Sequence, residues 1–149
     1  MSILTAKNKI NLLSTLTLLV GLNFIQNVFA NELEKICKDH VQNKIAWDPN
    51  SGYTSSSKWE EANLESLCKG TKTPEEPGEC FHKVMTGHVK WGSSDKWEWK
   101  NAIALCAGTN DSDERVACFE GRIKAGEKWD AAIFQCQSNS GGLNNKVPE

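Results

Sequence analysis

The sequence predicts an all-α protein in which three disulfide-stapled helical hairpin repeats pack into one small domain. Three features support this fold class: six cysteines that follow an export signal, a recurring pattern of tryptophan, cysteine and glycine, and apolar residues at helical spacing. An even number of cysteines in a small exported domain favours a disulfide framework over a metal site. One short hairpin cannot bury its own apolar face, so we expect the three hairpins to share one core.

Residues 1–30 have the three-part composition of a cleavable secretory signal. Lys7 and Lys9 give a basic start, a mostly apolar stretch runs from Ile10 to Ile25, and Val28-Phe29-Ala30 supplies the residues that a signal peptidase recognises. The alternative is a retained membrane anchor, but a spanning helix needs about 20 apolar residues and polar residues interrupt this stretch. We expect cleavage after Ala30, no membrane span in the mature protein, and a secreted or periplasmic location.

The mature chain has the size of one domain and an acidic charge balance. The whole chain has 17 basic and 19 acidic residues, and removal of Lys7 and Lys9 leaves 15 against 19, a net charge of −4. A chain with this net negative charge does not have the excess of basic residues that attracts nucleic acid, so we expect no nucleic-acid partner. The polar tail has the composition of a disordered segment. We therefore predict one cysteine-rich helical domain over residues 31–137 and a disordered tail over residues 138–149.

A pattern of tryptophan, cysteine and glycine recurs along the mature chain. Trp59 stands nine residues before Cys68, and Trp97 stands nine residues before Cys106. Both cysteines begin the sequence Cys-x-Gly-Thr. The repeated unit is a segment that runs from a cysteine to a tryptophan, then a turn, then a segment that runs from a tryptophan to a cysteine. Three units cover about residues 37–68, 80–106 and 118–136, and the last unit is shortened.

The segments that run from tryptophan to cysteine have the features of helices. Residues 57–60 and 95–98 have the sequences Ser-Lys-Trp-Glu and Asp-Lys-Trp-Glu, which match the capping box and place tryptophan at the second helical position. Apolar residues then follow at i, i+3, i+4 and i+7 from Trp99 and again from Trp129. The segments that run from cysteine to tryptophan have weaker helical signals, of which residues 111–114 (Asp-x-x-Glu) give one start.

Hairpin geometry favours one disulfide pairing. The start of the first helix in a hairpin lies beside the end of the second helix, and both positions hold cysteines in every unit. The favoured pairs are Cys37–Cys68, Cys80–Cys106 and Cys118–Cys136. The rival arrangement crosses the connections between hairpins, with the pairs Cys68–Cys80, Cys106–Cys118 and Cys37–Cys136. The sequence leaves both arrangements open.

Tryptophans concentrate around the predicted turns, at the end of each hairpin that is remote from the cysteines. Trp47 and Trp91 lie there beside short polar residues, in segments that also contain Tyr53 and Ser93. Indole rings among hydroxyl and amide groups suit a sugar or peptide ligand, so we select Trp47, Tyr53 and Trp91 as candidate binding residues. The alternative is that tryptophans close the core, and we favour it for the other four: Trp59, Trp97, Trp99 and Trp129.

From the residues alone, we expect an exported, non-catalytic binding module that presents a tryptophan-rich turn surface to a glycan, peptide or protein of the envelope or the extracellular space. The common catalytic and phosphate-binding motifs are absent from the sequence, and we expect no cofactor and no metal. A secreted inhibitor or effector of another enzyme is the first alternative. A small helical hydrolase is the second alternative, and its carboxylates would come from Glu60, Glu61, Glu65 or Asp111.

Overall fold

The computed structural model describes residues 29–48 and 59–138. Within these two ranges the chain forms six helices and no β-strand, which confirms the predicted all-α class. The helices are α1 within residues 29–44, α2 (Glu61–Cys68), α3 (Glu76–Met85), α4 (Trp99–Cys106), α5 (Ser112–Lys124) and α6 (Trp129–Ser138). None of the described helices is long and apolar enough to cross a membrane.

Three disulfides join the helices in sequential pairs. They are Cys37–Cys68 between α1 and α2, Cys80–Cys106 between α3 and α4, and Cys118–Cys136 between α5 and α6. The Cα atoms of the three pairs are 5.7, 5.5 and 5.9 Å apart. These are the pairs that the hairpin geometry favoured, and the rival arrangement across the inter-hairpin connections is wrong. All six cysteines lie within the described ranges, and none of them is free.

Helix α4 lies at the centre of the domain, because it packs against α2, α3, α5 and α6. Ala102, Ile103 and Cys106 are buried, as the helical spacing predicts, and Leu105 is buried as well. Phe81 and Phe119 are the largest side chains that are completely buried. Burial of each such ring contributes roughly 1.5–3 kcal/mol relative to an exposed ring.

The two Cys-x-Gly-Thr sequences form adjacent loops after α2 and α4. Gly70 and Gly108 end these helices with φ angles of 79° and 59°, which only glycine adopts without strain. The backbone N–H of Gly108 donates to the carbonyl of Leu67 over 2.8 Å, so the second loop rests against the end of α2. The hydroxyl of Thr71 lies 3.2 Å from the carbonyl oxygen of Thr109 and joins the loops a second time. The repeated sequence therefore stabilises both the helix ends and the contact between hairpins.

Arg115 ties α5 to the end of α4. Its side chain is buried, with 4% of its surface exposed, and Nη1 donates to the carbonyl oxygen of Leu105 over 2.6 Å. Carbonyl groups in the last turn of a helix have no partner within the helix, so this bond satisfies one of them. Burial lowers the pKa of Arg115 from its ordinary value, and the neighbouring Glu114 opposes this shift.

The predicted starts of α2 and α4 are wrong. Both helices begin after the capping-box glutamate, since Glu60 and Glu98 are the N-cap residues, are extended, and make no side-chain cap bond. Trp59 and Trp97 therefore precede the helices and do not occupy the second helical position. Tertiary hydrogen bonds of these two indoles explain the difference and are described with the candidate site. The predicted start of α5 is confirmed, because Asp111 accepts a hydrogen bond from the N–H of Glu114 over 2.9 Å.

Several predicted features lie outside the described residues. They include residues 1–28 of the signal, residues 139–149 of the tail, and Tyr53. The predicted cleavage after Ala30 falls within α1, and it stays a prediction. Ser138, the first residue of the predicted tail, is the last residue of α6.

The contact between the two Cys-x-Gly-Thr loops predicts the effect of replacing Gly108. A Cβ atom at this position would lie 2.4 Å from the carbonyl oxygen of Lys69, and the backbone has a positive φ. We expect Gly108→Ala to lower the free energy of unfolding by about 1–3 kcal/mol.

Gly121→Ala is the control, because Gly121 lies inside α5 with no atom within 4 Å of the new Cβ. It should raise stability by about 0.5–1 kcal/mol. Denaturant unfolding of the oxidised proteins, followed by circular dichroism, measures both values, and equal stability of Gly108→Ala and the parent would contradict the contact.

The burial of the cysteines predicts the order in which the disulfides are reduced. Cys118 is half-buried, whereas both cysteines of the other two disulfides have 0% of their surface exposed. A thiol reductant must reach a sulfur atom, so we expect Cys118–Cys136 to be reduced first under native conditions. Brief reduction, alkylation and peptide mass spectrometry identify the first labelled pair. Earlier labelling of Cys37–Cys68 or Cys80–Cys106 would refute this order.

Candidate functional site

The tryptophans of the described chain lie in two aromatic groups. In the first group the ring of Trp47 packs against Trp59 at 4.8 Å, against Trp99 at 5.0 Å and against Phe81 at 6.0 Å, measured between centroids. Trp59 is buried, with 7% of its surface exposed, and Trp47 is half-buried. Trp47 is therefore part of the aromatic packing of the core as well as a surface residue.

The second group joins α5 and α6 to the connection between α3 and α4. Trp97 packs on Phe119 with a centroid distance of 5.0 Å. Trp91 and Trp129 meet edge to face at 6.0 Å, and Trp129 has 40% of its surface exposed. An exposed tryptophan that forms one side of an aromatic corner is a typical component of a binding surface.

Trp59 and Trp97 make the same backbone contact in the first and second hairpins. The indole N–H of Trp59 donates to the carbonyl of Ile45 over 2.9 Å, and that of Trp97 donates to the carbonyl of Val89 over 2.9 Å. Each acceptor stands two residues before the turn tryptophan, Trp47 or Trp91. These bonds hold Trp59 and Trp97 in the segments that precede α2 and α4, and so they explain why both helices begin late.

A tight turn positions Trp91. The backbones of Trp91 and Ser94 pair in both directions, at 2.9 and 3.4 Å, around Gly92, which has a φ of 69°. The indole N–H of Trp91 donates to the carbonyl of Lys96 over 3.0 Å. Trp91 is half-buried and its N–H is already bonded, so its ring offers a ligand an apolar surface only.

Two cavities adjoin this turn. The large groove has a volume of about 760 Å³, and its aromatic lining consists of Trp47, Trp97 and Trp99. Met85, the last residue of α3, lines it as well, together with the turn residues Thr86 and Gly87. The small groove has a volume of about 240 Å³, and its lining includes Trp91, Trp97 and Trp129 together with the amide side chain of Asn101.

The two grooves share one wall, which consists of Lys96, Trp97 and Glu98. This shared wall precedes α4 and has no helical structure. Trp97 is half-buried, whereas Lys96 and Glu98 are exposed. Within the described chain, this is the only segment that lines both grooves, and the indole bonds of Trp91 and Trp97 hold it in place.

The large groove carries more negative than positive side chains. Three carboxylates line it, those of Asp48, Asp95 and Glu98, against the amines of Lys96 and Lys100. The amine of Lys100 lies 5.3 Å from the ring centroid of Trp99, which is the geometry of a cation–π contact. The groove therefore combines aromatic faces with carboxylates, a combination that suits a cationic group.

Two of the four carboxylates proposed for a hydrolase have other partners. Glu61 forms an ion pair with Lys38 over 2.6 Å, which raises the pKa of Lys38, and Asp111 caps α5. Within residues 29–48 and 59–138, no group of three or more His, Cys, Asp or Glu side chains is arranged to hold a metal ion.

The candidate grooves contain two of the three residues that the sequence selects for binding. Trp47 lines the large groove and Trp91 the small one, whereas Tyr53 lies outside the described residues and stays a prediction. Trp97 and Trp99 pack against the core, as the sequence predicts, and also line a groove. Trp129 is 40% exposed and lines the small groove. One signal was present in the sequence: Trp97 and Trp99 are two residues apart, a spacing that brings side chains to the same side in an extended chain but not in a helix.

No protein-family model matches the chain, and neither the curated proteins nor the solved structures give a significant match.

Proposed function

We propose that this protein is an exported, non-catalytic binding module that holds its ligand against the shared wall of the large and small grooves. The observation that carries the proposal is the pair of tryptophan-lined cavities, of about 760 and 240 Å³, on one short segment. Ligand sites are typically concave and mostly apolar, with a few polar groups that fix orientation. Each groove is concave and combines three tryptophan rings with polar side chains.

The scaffold supports a binding role because it is rigid close to the grooves. Trp99 lines the large groove and is the first residue of α4, while Cys106 ends the same short helix in a disulfide. The shared wall precedes α4 directly, so the disulfide also limits its movement. A site that is formed before the ligand arrives avoids most of the entropy cost of ordering.

Three buried or half-buried disulfides support the exported location in this proposal. Disulfides persist in oxidising compartments such as the periplasm and the extracellular space, and they are rare in the cytosol. The predicted signal over residues 1–30 is a second argument, and it rests on composition alone.

The proposal predicts that loss of an exposed groove tryptophan weakens binding without loss of the fold. We expect Trp129→Ala to reduce affinity by about 2 kcal/mol, or about 30-fold, which is typical of an aromatic residue that carries binding energy. Phe134→Ala is the matched control, because Phe134 lies on the same helix, is 66% exposed and lines neither groove.

The measurement uses the oxidised protein on a glycan array and on an array of short peptides, with circular dichroism of each variant as a test of folding. Binding to either array that falls with Trp129→Ala and persists with Phe134→Ala supports the proposal. Binding that is equal in the parent and in folded Trp129→Ala would overturn it, and so would the absence of binding on both arrays.

A further inference from the structure

We propose that the ligand is a polypeptide segment, bound in an extended conformation by pairing its backbone with Asp95 and Trp97 at the edge of the large groove, and carrying at least one basic side chain. This inference rests on the proposed function and names its ligand. Peptides commonly bind by adding a strand to an exposed backbone edge, where main-chain bonds give affinity and side-chain pockets give specificity.

The turn at Trp91 determines which backbone groups face outward. Ser94 pairs its N–H and carbonyl with Trp91, and the carbonyl of Lys96 accepts the indole N–H of Trp91. Successive backbone groups in an extended chain point to opposite sides. The bonded backbone groups of Ser94 and Lys96 face Trp91, on the other side of the turn. The backbone groups of Asp95 and Trp97 therefore point away from Trp91.

These outward backbone groups form an edge without partners. Among the described residues, none bonds to the backbone N–H or carbonyl of Asp95 or of Trp97. Asp95 is exposed and Trp97 is half-buried, so water or a ligand is needed to satisfy these groups. A backbone edge of two residues, spaced as in a β-strand, offers the donors and acceptors that a second extended chain requires.

The large groove provides space along this edge. Asp95 and Trp97 line the groove, which is also bounded by residues 85–87 and by Trp47. A Cβ placed on Gly87 would lie 3.7 Å from the Cβ of Asp95, so the turn after α3 approaches the start of the edge. The small groove lies across the shared wall and can receive a neighbouring side chain of the same peptide.

The charges of the groove indicate a basic peptide. Three carboxylates line the large groove against two amines, and Glu98 lines both grooves. The protein's own Lys100 shows that a cation fits over the ring of Trp99, with Nζ 5.3 Å from the centroid. An Arg or Lys side chain of the ligand would meet the carboxylates of Asp95 and Glu98, which line the large groove next to the backbone edge.

The aromatic rings favour a peptide over a glycan, because most of the ring faces are already covered. Trp47 packs against Trp59, Trp99 and Phe81, and Trp97 packs on Phe119. A sugar needs an open ring face on which to stack, and Trp129, at 40% exposure, is the most exposed tryptophan of the described chain. A sugar does not need a backbone edge, because ordinary polar side chains supply the hydrogen bonds that it makes.

The test uses synthetic peptides that alternate aromatic and small residues and carry Arg, Glu or Ser at one central position. We expect the Arg peptide to bind at least 10-fold more tightly than the Glu peptide. N-methylation of one peptide bond should reduce binding of the Arg peptide at least 10-fold, because it removes a backbone donor and leaves the side chains unchanged. On binding, the amide proton of Trp97 should become protected from hydrogen exchange, measured by NMR.

Matched charge variants test the basic side chain. Glu98→Gln should weaken binding of the Arg peptide several-fold, whereas Glu65→Gln removes an exposed carboxylate of α2 that lines neither groove and should leave the affinity unchanged. Equal affinity of the methylated and unmethylated peptides, or no protection of the Trp97 amide, would overturn the backbone pairing.

The other occupants are distinguishable outcomes. Binding to glycans only, lost in Trp129→Ala, would overturn the peptide ligand and leave the proposed function in place. Self-association of the protein in sedimentation, with the Trp97 amide protected at high concentration and no peptide bound, would show that a second copy occupies the edge and would likewise overturn this inference. Failure to bind either array would overturn both this inference and the proposed function.

Discussion

Each hairpin depends on the disulfide that joins its first helix to the end of its second. Helices α2 and α4 have only 8 residues each, whereas isolated helices shorter than about 12–15 residues are marginal in water. Cys68 and Cys106 are the last residues of these two helices, so each bond fixes a helix end against the neighbouring helix. The buried cysteines then become part of the same core as Phe81 and Phe119, and the apolar stripe of each short helix faces that core.

Helix α4 transmits this constraint from the core to the grooves. Cys106 is at its C-terminal end in a disulfide, its middle is buried against four other helices, and Trp99 is at its N-terminal end on the large groove. The shared wall, residues 96–98, continues directly from this helix. The position of the candidate binding surface is therefore fixed by the same interactions that stabilise the domain, and by the two indole bonds that Trp91 and Trp97 make to backbone carbonyls.

The sequence predicted the candidate site in part. Trp47 and Trp91 were selected because they stand beside polar turns, and both line a groove. The capping-box pattern predicts that Trp97 and Glu98 lie in the first turn of a helix, where their carbonyl groups would accept helical bonds. Glu98 is extended instead, and residues 96–98 line both grooves. No described residue bonds to the backbone of Trp97. The error in the start of one helix thus concealed the centre of the site.

The sequence by itself determined the all-α class, the glycine positions that end α2 and α4, and a preferred pairing of the six cysteines. These features depend on local spacing, on the left-handed backbone that Gly70 and Gly108 supply, and on the geometry of neighbouring helices. Only the tertiary structure decided where α2 and α4 begin. The capping-box pattern describes interactions over three residues, but Trp59 and Trp97 bond to carbonyl groups 14 and 8 residues earlier, and those bonds require the core to be assembled around them.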